Sequence, residues 1–289
     1  MNSIIPIFKS SLSIMIPIFF AALGGLFPAL CGSLNIALEG LLLAGAFSSL
    51  AVFYFTGNIA ISVLSAICAS LLLSLLHILA VFKLRANLFI SGLAVNLFSS
   101  GICIVLSDKI FKTRGVVARE AAFQEAALQE AANSVPWLLN RYLIIAFLVL
   151  LVSWLAIYKT PFGFRLRACE KNSQSLISLG INPNFYQITA VLISGFFCGI
   201  GGSFLSLKLG AFVPGMSAGK GWIALAVIFL GAKKPFGILA AAFVFALTES
   251  FSNYLQGLWN IPADFILAFP YVCSLVAIIV VSVMERKKN

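Results

Sequence analysis

Long unbroken apolar runs dominate this chain and leave it few folds to choose from. They fall at about 12–28, 36–56, 59–82, 88–107, 141–158, 188–207, 221–231, 236–251 and 264–283. Several reach the roughly 20 residues that a helix needs to cross a bilayer, whereas 221–231 is too short for a straight crossing. In hydrocarbon every backbone N–H and C=O must be paired within the protein, which leaves helices or a closed barrel. Barrel strands would alternate over segments of about ten residues, and these runs do not. The expected fold is therefore all-α: a polytopic transmembrane helical bundle of about nine spans with broken or re-entrant segments, forming one transmembrane domain over 1–289.

Charge agrees with this. Only 10% of the 289 residues are charged, against about 25% in a typical soluble domain. The net charge of +10 does not point to nucleic acid, because no basic stripe with interleaved aromatics accompanies it. Lys and Arg instead cluster between apolar runs, as the positive-inside rule produces. With the C-terminus inside, nine crossings put the N-terminus outside. The inner segments then hold Lys83, Arg85, Lys159, Arg165, Arg167, Lys171, Lys233, Lys234, Arg286, Lys287 and Lys288.

Lys9 and the apolar run after it resemble a removable leader, and Pro28-Ala29-Leu30-Cys31 resembles a lipoprotein cleavage site. Leu30 is too large just before such a cysteine, so the run reads as a retained span. The six cysteines stand singly (Cys31, Cys68, Cys103, Cys169, Cys198, Cys273), without the spacing of a zinc or redox motif. No metal site and no cofactor is expected.

Two polar stretches interrupt the apolar pattern. The outer loop, about 108–140, contains Ala118 to Asn133, which reads as a short amphipathic surface helix ahead of Pro136. The inner loop, about 159–187, opens on Pro161 and Gly163. It continues as a helix-like stretch from Arg165 to Leu179 and closes at Gly180 to Pro183, a helix stop signal. It reads either as a solvated connector or as a docking helix for a cytoplasmic partner.

Polar groups inside membrane runs are costly and mark function or interhelical hydrogen bonding. Asn35 and Glu39 share a helical face among Gly32, Gly40 and Gly45. Asn87, Asn96, Glu249, Asn253, Gln256 and Asp264 add to the set, and for each the plainer role is to join spans. The Gly195–Gly202 stretch suits tight helix packing. Gly219-Lys220 lacks the glycine spacing of a phosphate loop, so ATP hydrolysis would have to come from another subunit. Asn35-Ile36-Ala37-Leu38 has a faint echo in Trp222-Ile223-Ala224-Leu225. Interrupted segments recurring in two halves are a pointer to a transporter's binding site.

These residues carry a resemblance. From about Ala21 to Tyr271 the chain resembles the permease subunits of nucleoside and simple-sugar ATP-binding-cassette importers, in the superfamily of ribose and branched-chain amino-acid permeases. The resemblance rests on Asn35 to Gly40, Arg85-Ala86-Asn87, Ser91-Gly92, Asn96 and Phe164 to Ala168. It continues through Leu179 to Asn182, Ser194 to Gly202, Ser217 to Leu225 and Pro270-Tyr271. It departs from the family pattern at Glu170-Lys171-Asn172-Ser173 and at Pro28-Ala29-Leu30.

The resemblance implies an inner-membrane permease that is not itself an enzyme. Its implied partners are a second permease subunit (identical or homologous), cytoplasmic ATP-binding subunits, an external solute-binding lipoprotein and membrane lipid. It makes the 159–187 loop the coupling segment, with Arg165, Arg167, Glu170, Asn172 and Gly180 as contact residues. Asn35, Glu39, Asn96 and Trp222 are candidates for a path suited to a hydroxylated, planar-ringed solute. A nucleoside fits, and so do riboflavin and a simple sugar. A proton-coupled secondary transporter would instead use Glu39 or Glu249 as a relay. A membrane enzyme would need partners for the sole histidine, His77, and the sequence supplies none nearby.

Overall fold

The computed structural model of the chain describes residues 4–118 and 121–258, with side chains over 6–118 and 138–255. Ten helices follow in order. They are α1 (Ile4–Leu30), α2 (Leu38–Thr56), α3 (Ile59–Ile78, continued by a π-helical turn Leu79–Lys83), α4 (Leu88–Phe111) and α5 (Ala121–Lys159). Next come α6 (Pro161–Lys171), α7 (Ser173–Ser178), α8 (Pro183–Leu209), α9 (Lys220–Leu230) and α10 (Pro235–Leu258). Two residue-pair strands, β1 (Val117–Ala118) and β2 (Ala211–Phe212), join antiparallel. They tie the loop after α4 to the chain leaving α8.

Seven of these helices are long and apolar enough to cross a membrane. The all-α bundle is as expected. The described residues show seven such helices, and α9, with 11 residues, is the short segment noted above. The apolar run 264–283, with Asp264, Pro270, Tyr271 and Cys273, lies outside the described residues, as does the side chain of Gln256.

Local sequence explains most boundaries. Asn58 caps α3 by accepting from Ala60 N and Ile61 N. Asn87 caps α4 in the same way through Phe89 N and Ile90 N. Thr160 and Asn182 precede Pro161 and Pro183, the two N-terminal prolines of α6 and α8. A polar cap followed by proline suits a helix start, since proline lacks an N–H where none is needed.

Two expectations are corrected. The stretch 121–133 is no separate surface helix; α5 runs unbroken through Pro136 to Lys159, 39 residues in all. A proline removes one intrahelical hydrogen bond, and here that loss does not end the helix. The single helix expected from Arg165 to Leu179 is two. Asn172 leaves α6 in an extended conformation (φ −158°) and its side chain accepts from Ser175 N at 3.1 Å to start α7. Capping a new helix outcompetes continuing the old one.

The core centres on α1. Of its spanning window 89% is buried, against 28% for α3, α4 and α5, so α1 sits inside the bundle and those three form its apolar periphery. α8 packs against α1, α2 and α3. Its small residues permit a close approach: a Cβ on Gly199 would stand 2.6 Å from Ile67 Cα, and one on Gly45 of α2 would stand 3.2 Å from Gly199 Cα. Without solvent exclusion between helices, such packing supplies much of the association.

Candidate functional site

α2 and α9 begin differently from α3, α4, α6, α7 and α8, whose starts carry side-chain caps. The residues preceding α2 and α9, Ala37 and Gly219, offer no side-chain cap. The α2 start is buried and the α9 start partly so, where unpaired helix N–H groups would be costly. Both borrow their caps from other helices.

The α2 start is knitted by amides. Buried Asn35 donates from Nδ2 to Ser194 Oγ of α8 at 2.5 Å, and its Oδ1 accepts from Ala37 N at 3.0 Å. Asn96 of α4 donates to Ile36 O (2.9 Å) and accepts from Gly40 N (2.7 Å), spanning the break. Ser99 donates to Gly40 O at 2.6 Å. Gly40 and Gly92 make this possible, since a Cβ on either would meet α4 or Ile36 at 2.8 Å.

The α9 start is capped by Glu39 of α2. Its Oε1 accepts from Gly219 N at 2.9 Å and its Oε2 from Gly221 N at 2.7 Å. Glu39 thus sits in the first turn of its own helix and at the N-terminus of a second, where two positive dipole ends favour a carboxylate. Backbone N–H groups can only donate, so both oxygens are held as acceptors. Trp222, one residue further along α9, stays 41% exposed beside this junction. Lys220, on the same turn, pairs with Glu249 of α10 at 3.4 Å. The two Ile-Ala-Leu echoes therefore come to one junction, although the first straddles the start of α2 while the second lies inside α9.

At the end of the bundle where α1 exits lie α6 and α7. Arg165 donates to Tyr186 Oη of α8 at 3.0 Å. Arg167 donates to Gly163 O and stacks its guanidinium 5.0 Å from both the Tyr158 and Phe164 rings. Glu170 forms an ion pair with Lys233, in the turn between α9 and α10. Asn172 caps α7, and Gly180 adopts φ +74° in open space. A groove of about 490 Å³ lies along α7 and the α8 start, lined by Ile177, Gly180, Ile181, Asn182, Pro183 and neighbouring polar residues. Ile177 in this lining is more than half exposed, as are Phe164 of α6, Leu179 after α7 and Phe185 of α8.

Sequence reasoning missed several partners here. Ser194, Lys233 and the N–H groups of Gly219 and Gly221 become relevant only in three dimensions. The scattered cysteines also conceal a pair: Cys31, on the turn after α1, is buried against Cys169 of α6 with their thiols in hydrogen-bond contact. Burial pushes both thiols up from their ordinary range. His77 is buried too, with Nδ1 3.0 Å from Ser91 Oγ of α4. Among the described residues no group of three or more His, Cys, Asp or Glu side chains is placed to hold a metal ion.

Known proteins share this sequence pattern. The profile of the family described as branched-chain amino acid transport system / permease component matches residues 7–282. The guanosine ABC transporter permease protein NupQ of Bacillus subtilis is 30% identical over 279 residues, covering 91% of this chain and 87% of that protein. The nucleoside ABC transporter permease protein NupC of Lactococcus lactis is 30% identical over 286 residues, with the same two coverages of 91% and 87%. A putative glucose ABC transporter permease protein, TsgC13 of Haloferax volcanii, is 26% identical over 263 residues, 83% of this chain and 75% of that one.

Proposed function

Because the chain belongs to the family of branched-chain amino acid transport system permease components, we propose that it is the membrane subunit of an ATP-binding-cassette importer carrying nucleosides across the inner membrane. It is a multi-pass membrane protein, with seven helices of spanning length and composition among the described residues. The observation that carries the nucleoside reading is the 30% identity to two permeases named for guanosine and nucleosides, each across 91% of the chain.

ATP hydrolysis then belongs to a separate cytoplasmic subunit, and α6–α7 with the groove beside them form its docking surface. Exposed Ile177 and Leu179 on a largely uncharged segment suit burial against such a partner. Arg165, Arg167, Asn172 and Gly180 set the shape of that surface. A second permease completes the pathway; Bacillus subtilis and Lactococcus lactis each have two permeases that match this chain, which supports a related rather than an identical partner. An external solute-binding lipoprotein delivers the solute.

In this reading the solute passes the junction of the α2 and α9 starts. Trp222 offers a ring for stacking on a base, while Asn35, Asn96 and Glu39 hold the surrounding backbone in place. The glucose-named relative, at 26% identity, supports a second reading with the same mechanism and a sugar as cargo.

The test is uptake of radiolabelled guanosine, riboflavin and glucose into ATP-loaded proteoliposomes containing this chain, its partner permease, the ATPases and the binding protein. ATP-dependent guanosine uptake is the expected result. Uptake that follows a proton gradient and ignores ATP would overturn the reading, and ATP-dependent uptake of glucose alone would replace the cargo.

A further inference from the structure

α9 is held at both ends and connects the two regions described above. Its eleven residues, at about 1.5 Å each, make a rod of about 16 Å. One end is the Glu39 cap beside Trp222. The other runs into the 231–234 turn, closed by Ala232 N to Phe229 O at 2.9 Å and Lys233 N to Ile228 O at 3.0 Å.

That turn is unusual. Ala232 and Lys233 both adopt left-handed backbone, φ +51° and +53°, which L-residues with a Cβ seldom do, least of all in succession. Such conformations persist where the surroundings determine them, and they concentrate at sites with a mechanical role. Here the strained turn directs Lys233 at Glu170 of α6. The Glu170 backbone is itself seated on the turn after α1, where a Cβ on Gly32 would meet Glu170 Cα at 3.4 Å. α6 packs on α1, α5 and α8, and the Lys233–Glu170 ion pair links it to the turn between α9 and α10.

Resting on the importer reading, we infer that α9 is a push-rod: the Lys233–Glu170 pair is the joint through which movement of α6 reaches the Glu39–Trp222 junction. Lys233 and Glu170 are positioning residues, acting on the solute path through α9. Their charges are about one-third exposed, so they contribute little to holding the fold together. Breaking them should disturb transmission more than folding. Energetic transmission between distant sites requires an element that both ends bias; α9 carries the Glu39 cap at one end and the Lys233 joint at the other, and packs along α1, α2 and α10 between them.

The experiment uses the full complex in proteoliposomes, comparing wild type, Lys233→Glu, Lys233→Arg and the exchange Lys233→Glu with Glu170→Lys. Solute moved per ATP hydrolysed should fall about tenfold in Lys233→Glu and remain near wild type in Lys233→Arg and in the exchange. A second readout needs no transport: the emission of Trp222 in a background where the other tryptophans are phenylalanine. It should shift in Lys233→Glu and return in the exchange. If Trp222 emission is the same in all four proteins, or the exchange fails to restore the ratio, the push-rod is wrong. Wild-type complex that moves no solute with ATP would instead defeat the importer reading, and the Trp222 emission would still decide the joint.

Discussion

Glu39 and Gly221 meet twice, once through a hydrogen bond from Gly221 N to Glu39 Oε2 at 2.7 Å and once backbone against backbone. A Cβ on Gly221 would lie 2.5 Å from Glu39 Cα. The carboxylate can cap α9 because glycine lets the two helix starts touch. Glu39→Ala removes the acceptor of two N–H groups and is expected to destabilise the protein by about 2–4 kcal/mol, from the cost of leaving such donors unmet. Glu39→Gln, which keeps one acceptor oxygen, should lose less. Thermal unfolding in detergent, followed by tryptophan fluorescence, orders the variants; an Ala variant as stable as wild type would remove the cap from the account.

Asn96 works with both ends of its amide, so its two functions can be separated. Asn96→Asp keeps an acceptor for Gly40 N but places a carboxylate oxygen against Ile36 O. A loss of about 1–3 kcal/mol is expected, with Asn96→Leu losing at least as much because it leaves both Gly40 N and Ile36 O unmet. Denaturation midpoints in mixed detergent and denaturant provide the check, and a neutral Asp variant would mean that Ile36 O has found another donor.

Gly199→Ala tests the close approach of α8 to α3. The new methyl would arrive 2.6 Å from Ile67 Cα, a backbone atom that cannot rotate away. Overpacking of this kind costs about 1–3 kcal/mol, and Gly101→Ala, where a Cβ meets nothing within 4 Å, should be neutral. Comparing the yield of monodisperse protein for the two variants separates a packing effect from a general intolerance of alanine for glycine.

Cys31 and Cys169 make a chemical prediction. The thiolate is the reactive form, and a raised pKa keeps it scarce; both thiols are raised, Cys31 first of all by burial. Maleimide labelling at these positions, with the other cysteines changed to serine, should be slow near neutral pH and quicken as the pH climbs. A strong oxidant such as copper phenanthroline should join the pair, pin α6 to the turn after α1, and stop ATP-driven uptake until reductant is added. Fast labelling at neutral pH, or no cross-link by mass spectrometry, would contradict the observed arrangement.

Long apolar runs and the Gly180 to Pro183 stop made much of the fold legible. Asn87, expected among the groups that join spans, instead caps its own helix α4, as Asn58, Thr160 and Asn182 cap α3, α6 and α8. The glycines from Gly195 to Gly202 announced the close packing of α8. What stayed hidden was the pairing between distant segments. Glu39 carries no mark that its partners are 180 and 182 residues away, and Lys233 looks like any basic loop residue until the turn aims it at Glu170. Asn172 was misread for a subtler reason: the same side chain can end one helix or begin another, and only the backbone around it decides.

The deep burial of α1 bears on how the protein is made. α1 is the spanning helix with the least place among lipids, and its neighbours α8, α9 and α10 follow much later in the chain and are synthesised after it. Ser250 of α10 donates to Ile7 O across 243 residues of sequence. Until those segments arrive, α1 must wait in the bilayer or beside the insertion machinery with Ser11 and Ser13 facing hydrocarbon, tolerated because the rest of the segment is strongly apolar. Assembly is therefore paced by its last partners, and a chain cut short before α8 would leave its central helix without the surface it was shaped to meet.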